Sequence, residues 1–161
     1  MHQFRHLLAF LALIAACAGA AAFEVNGMKA GMPGEQALQL LRGRSDRVSP
    51  VGDGSELGQS YLGTNGATNT TEAITICRGR LFAYQHDIVG GFRAFVRAAQ
   101  SEQSIAGSGT AVAIARDTRV GEWSLVRFTW QYPGWIKEIS YSFIASEQTY
   151  IRYAVGAQGC R

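Results

Sequence analysis

The sequence is short of the features that mark several specialised classes. Charge of one sign is the first: 15 Lys and Arg stand against 12 Asp and Glu in 161 residues. No basic run exceeds two residues, so the phosphate-neutralising surface of a nucleic-acid binder is missing. Long apolar runs are also absent. Leu7–Ala16 is the clearest apolar stretch, ten residues that rise only about 15 Å as a helix, half a bilayer core. Cysteine and histidine number three each. Against these shortages, 47% of the chain is hydrophobic, too much for a disordered chain, and the length suits one domain.

The beginning of the chain reads as an address rather than as fold. Arg5 precedes the apolar stretch, and a small-residue tract ends at Ala22, with Ala20 and Ala22 suiting signal peptidase. We expect a signal peptide over 1–22 and a single domain over 23–161, hence a periplasmic or secreted protein. The alternative is a lipoprotein: Ile14-Ala15-Ala16-Cys17 resembles a bacterial lipobox, with Cys17 as the acylated residue. Removing Arg5 with the leader lowers the net charge from +3 to +2.

The same cut leaves Cys77, Cys160 and His86. An even cysteine pair in an exported chain reads as a disulfide, with two buried thiols as the alternative. Two Cys and one His do not make a four-ligand zinc set, and no cofactor is expected.

Periodicity gives the elements. Phe23–Lys29 alternates weakly, as one short strand. Pro33 and Glu35 suit a helix N-terminus; Ala37, Leu38 and Leu41 form its apolar stripe, and Gly43 stops it. Residues 44–71 are rich in Ser, Gly, Asp, Asn and Thr and read as a mobile loop, with a possible short strand at Tyr61-Leu62. Asp53 and Glu56 lack calcium-loop spacing, and the sequon Asn69-Thr70-Thr71 is given no role. Ala73–Cys77 and Arg80–Asp87 form a hairpin around Arg78-Gly79. Phe92, Phe95, Val96 and Ala99 make the stripe of a second helix after Gly90-Gly91. Four alternating runs close the chain: Thr110–Arg116, Trp123–Tyr132, Trp135–Ile144 and Gln148–Gly156.

The fold class implied is α+β: two short helices on one face of an antiparallel sheet, a C-terminal four-strand meander, and one disulfide. Period-two alternation puts Val126, Phe128, Trp130, Ile139, Tyr141, Phe143, Ile151, Tyr153 and Val155 under the helices. Arg127, Thr129, Glu138, Ser140, Tyr150 and Arg152 take the opposite, polar side.

The run Gly31-Met32-Pro33-Gly34-Glu35-Gln36-Ala37-Leu38-Gln39-Leu40-Leu41 resembles the helix start of small bacterial envelope domains. These are outer-membrane assembly lipoproteins of the SmpA/OmlA type and domains of the β-lactamase-inhibitor-protein-like fold. The resemblance implies short helices laid on an antiparallel sheet and action by binding other proteins. It carries over no site residue.

Catalytic constellations are thin. His86-Asp87 is the one adjacent base and acid, but strand neighbours point to opposite faces, and nothing ties Ser101 or Ser104 to them. Gly107-Ser108-Gly109 leads into a strand and lacks the context of a nucleophile elbow. Gly90-Gly91 could present N–H groups to an anion, though a tight turn explains it. Trp123, Trp130, Tyr132 and Trp135 cluster near one hairpin, with Trp135 the best surface anchor.

The functional expectation is therefore a non-enzymatic protein-binding module, an envelope accessory factor or inhibitor. Its binding residues are Arg127, Thr129, Glu138, Trp135, Tyr150 and Arg152 on the polar sheet face, and its partner is another envelope protein. Nucleic-acid partners and a membrane span in the mature chain are not expected. The alternative is a small-molecule or lipid carrier, its pocket between helices and sheet lined by Phe92, Phe95, Phe128, Trp130 and Tyr141.

Overall fold

The computed structural model describes residues 22–52, 58–118, 121–143, 146–156 and 160. The expected leader with Cys17, and Asp53 and Glu56, lie outside the described residues.

Phe23–Lys29 folds back on itself instead of forming one strand. Asn26 (φ 52°) and Gly27 (φ 72°) take the left-handed turn that a two-residue hairpin needs, pairing β1 (Glu24–Val25) with β2 (Met28–Lys29). Helix α1 (Gly34–Arg42) starts after Pro33, buries Ala37 and Leu41, and is capped by Gly43 in a right-handed conformation. Strands β3 (Arg47–Val51), β4 (Gln59–Asn65), β5 (Thr70–Cys77) and β6 (Arg80–Asp87) follow. Helix α2 (Gly91–Ala106) then precedes β7 (Thr110–Thr118), β8 (Gly121–Tyr132), β9 (Trp135–Phe143) and β10 (Glu147–Ala154).

The expected fold class is corrected here. The four-strand meander is half of one antiparallel sheet of eight strands, in the order β3-β4-β5-β6-β10-β9-β8-β7, and the protein is mostly β. Residues 44–71, expected as a loop with a short strand at most at Tyr61-Leu62, supply β3, a β4 longer than that pair, and the start of β5. Nor is α2 short, at 16 residues. The chain thus runs twice through a helix followed by a four-strand meander, and the halves meet where β6 pairs β10.

Both helices cover the same side of this sheet. Ala37 and Leu41 of α1 pack with Ile74, Leu81, Tyr84 and Tyr153, while Phe95 of α2 packs with Trp130 and Ile139. A bulge adjusts the first of these clusters. Ile76 pairs Leu81 and Thr75 pairs Ala83, leaving Phe82 unmatched, so Leu81 and Tyr84 both face α1 although three residues apart. Cys77 and Cys160, with Cα atoms 5.6 Å apart, form the disulfide.

Candidate functional site

The side of the sheet away from the helices is laid out by strand register. Tyr150 stands opposite Asp87 and Ser140, and Ser140 opposite Arg127. In the adjoining row, Arg152 lies opposite Gln85 and Glu138, and Glu138 opposite Thr129. The same face continues through Ala73 and Thr75 on β5 to Leu62 and Ser60 on β4.

Three side chains on this face form a fork. Glu138 accepts from Arg127 Nη1 at 3.2 Å through one carboxylate oxygen and from Arg152 Nη1 at 2.6 Å through the other. Arg127 Nε also donates to Ser140 Oγ at 3.2 Å. The Glu138 side chain is 10% exposed and the arginine side chains 36% and 32%, so the arginines roof an acid that they neutralise twice. Ser140 beneath them is fully buried although no helix covers it.

Five of the six expected binding residues share this face: Arg127, Thr129, Glu138, Tyr150 and Arg152. Trp135 does not. It pairs Tyr132 in register on the helix side, stacks on that ring at 4.1 Å, and meets Phe23 and Tyr153. Trp130 is buried on the same side, and Trp123 has the parity of Arg127. The tryptophans therefore make no common anchor.

The remaining candidates have structural partners. His86 lies on the helix side beside the Tyr84 and Tyr153 rings, whereas Asp87 accepts from the backbone N–H and hydroxyl of Thr71. Ser104 Oγ donates to the Ser101 carbonyl at 2.7 Å. At Gly90-Gly91 the anion position is filled from within: Phe92 N–H donates to Glu147 Oε2 at 3.2 Å. Among the described residues no three His, Cys, Asp or Glu side chains gather as a metal set, and no helix is long and apolar enough to cross a membrane.

Two features mark the helix side, and the first of them was not expected. Glu102 of α2 is 5% exposed and holds both the Lys137 ammonium and the Tyr132 hydroxyl. Lys137 also sits 5.6 Å over the Tyr153 ring. Burial, then the hydrogen bond to Glu102 and its charge, pushes the Tyr132 phenol up to about 12. Both charges were visible in the sequence as misfits. Glu102 falls seven residues after Phe95 on the apolar stripe, and Lys137 has the parity of Ile139.

The second feature is an apolar recess of about 590 Å³ between α2 and β8, whose lining includes four of the five residues expected around a pocket there, Phe92, Phe95, Phe128 and Trp130, but not Tyr141. The connector at Gly107-Ser108-Gly109 forms part of its wall. Comparison of the chain with family models, curated proteins and solved structures gave no match.

Proposed function

We propose that this protein is a non-enzymatic binding module of the bacterial envelope, periplasmic or secreted, whose open sheet face docks another protein. The observation that carries the reading is the Arg127–Glu138–Arg152 fork, ordered in advance on a sheet face that neither helix covers. Two guanidiniums on one carboxylate leave a local charge of +1. A guanidinium has five N–H donors, and these bonds use two from Arg127 and one from Arg152, which leaves donors for a partner's carboxylate. Holding the arginines before docking reduces the side-chain entropy lost in the complex. The leader-like start of the chain and the disulfide support an oxidising compartment.

Reversing the arginines would be a poor test, because three carboxylates would then share one site. Thr129→Trp adds bulk beside the fork without removing a charge. Immobilised protein should capture a partner from an envelope extract, be competed by free protein, and weaken as salt rises. Thr129→Trp should lose that capture while melting within a few degrees of the parent. A partner held equally well by Thr129→Trp would sink the open-face reading.

A further inference from the structure

The recess between α2 and β8 lies on the other side of the sheet from the fork. We infer that it is a binding site for an uncharged single-chain lipid, an acyl chain ended by a hydroxyl, ester or amide group. This does not rest on the open-face reading.

The recess follows from where α2 is held. Phe95 seats the helix against Trp130 and Ile139, and Glu102 ties it to Lys137 of β9. So placed, α2 runs over β9 and β10 and leaves the apolar side of β8 partly uncovered. Val126, Phe128 and Trp130 then face a space whose volume falls within the range of ligand pockets, roughly 300–1,000 Å³.

Its floor is a continuous row of rings. Centroids step 5.8 Å from Phe92 to Phe95, 5.8 Å from Phe95 to Phe128 and 5.9 Å from Phe128 to Trp130. Tyr141 stands edge-on to Phe92 at 5.2 Å, and Phe92 is 52% exposed at the mouth. The far wall is braced. Trp130 Nε1 donates to the Gly107 carbonyl at 2.8 Å, and the Gly109 backbone lies so close that a Cβ there would meet the indole at 2.8 Å. Phe95 and Trp130 are already buried, so an apolar molecule in this space would cover chiefly the exposed parts of Phe92 and Phe128, at roughly 25 cal/mol per Å².

The lining also selects the head group. Every polar side chain in it is neutral: Gln100, Gln103 and Ser108. With no countercharge in the lining, a carboxylate or phosphate drawn inside would be desolvated without a partner. Amides and a hydroxyl instead match an ester, amide or alcohol.

The test uses the full chain and Nile red, a neutral dye that brightens in apolar sites. Saturable brightening is expected, displaced by monoolein and at least about tenfold less well by oleate, a gap of about 1.4 kcal/mol. Ala99→Trp, which fills the recess, should weaken dye binding by at least about tenfold, and Arg93→Ala on the exposed side of α2 should not change it. If Ala99→Trp fails to fold by circular dichroism, Gln103→Glu takes its place, putting a charge into the neutral lining with the same expected loss. Absent saturable binding, equal displacement by oleate, or full binding in the variants would overturn the site. A concentration-dependent dimer that Ala99→Trp dissolves would also overturn it, assigning the recess to a second copy of the chain. Capture of a partner on the open face would be untouched by any of these results.

Discussion

Glu102 shows what one buried charge asks of its neighbours. Its carboxylate is held between an ammonium and a phenol, as a buried ion must be if its desolvation is to be offset. The cost is carried by the tyrosines. The Tyr132 phenol is pushed up to about 12 by burial and by Glu102, and the Tyr153 phenol to about 12 by burial and then the charge of Glu102. Both are raised above the ordinary 10.0. In the unfolded chain these phenols ionise near pH 10 while the folded protein keeps them neutral, so alkali favours unfolding. Their stabilisation is complete below about pH 10 and is lost as pH rises through about 12. Urea midpoints measured at increasing pH should hold steady to about pH 9.5 and then fall, with a shallower fall in Tyr132→Phe. A midpoint unchanged across this range would mean that the phenols are not held as described.

At the scale of elements, legibility followed how far each strand had to be apolar. β8, β9 and β10 supply the apolar side chains that meet α2 or cross the β6–β10 seam, so their inward residues alternate openly: Phe128 and Trp130, Ile139 and Tyr141, Ile151 and Tyr153. β3 and β4 gave no such pattern. β3 is an edge strand, which tolerates Pro50 because one side of it pairs with nothing in the sheet. β4 presents Gly63 inward because α1 and the turn after it leave no room for more: a Cβ there would run into Ser45 Oγ and lie 2.8 Å from Leu41 Cδ1. A glycine inside a polar run reads as a loop, yet here it is a point where helix and sheet approach closely. Gly63→Ala should therefore cost about 1–3 kcal/mol in urea unfolding, through displacement of Ser45 and of Leu41 on α1. Leu41→Ala in the same chain should recover part of that loss by making space. Gly63→Ala with parental stability would show that α1 is not pressed on β4.

The two halves have the same order of elements, but they do not have separate cores. Tyr153 and Trp135 come from the second half and pack with Phe23, Leu41, Ile74 and Tyr84 of the first. The Tyr84 and Tyr153 rings lie side by side across the β6–β10 seam, 6.4 Å apart. This seam was hidden from sequence reading, since it pairs strands more than sixty residues apart that belong to different meanders. The open face depends on it too: Asp87 and Gln85 come from β6, whereas the arginine fork comes from β8, β9 and β10. The disulfide spans the same division, joining residues 83 apart in sequence from the end of β5 to the stretch after β10. In the chain-entropy account, closing such a loop stabilises by up to about 4–5 kcal/mol. Reduction should lower the unfolding free energy by up to that amount without dividing the transition. All three tryptophans lie in the second half, so their fluorescence follows that half while far-ultraviolet circular dichroism follows both. If the seam joins one core, the two signals will unfold together in the oxidised and in the reduced protein. If fluorescence moves first once the bond is reduced, the halves are independent units, and the disulfide rather than the Tyr84–Tyr153 seam is what couples them.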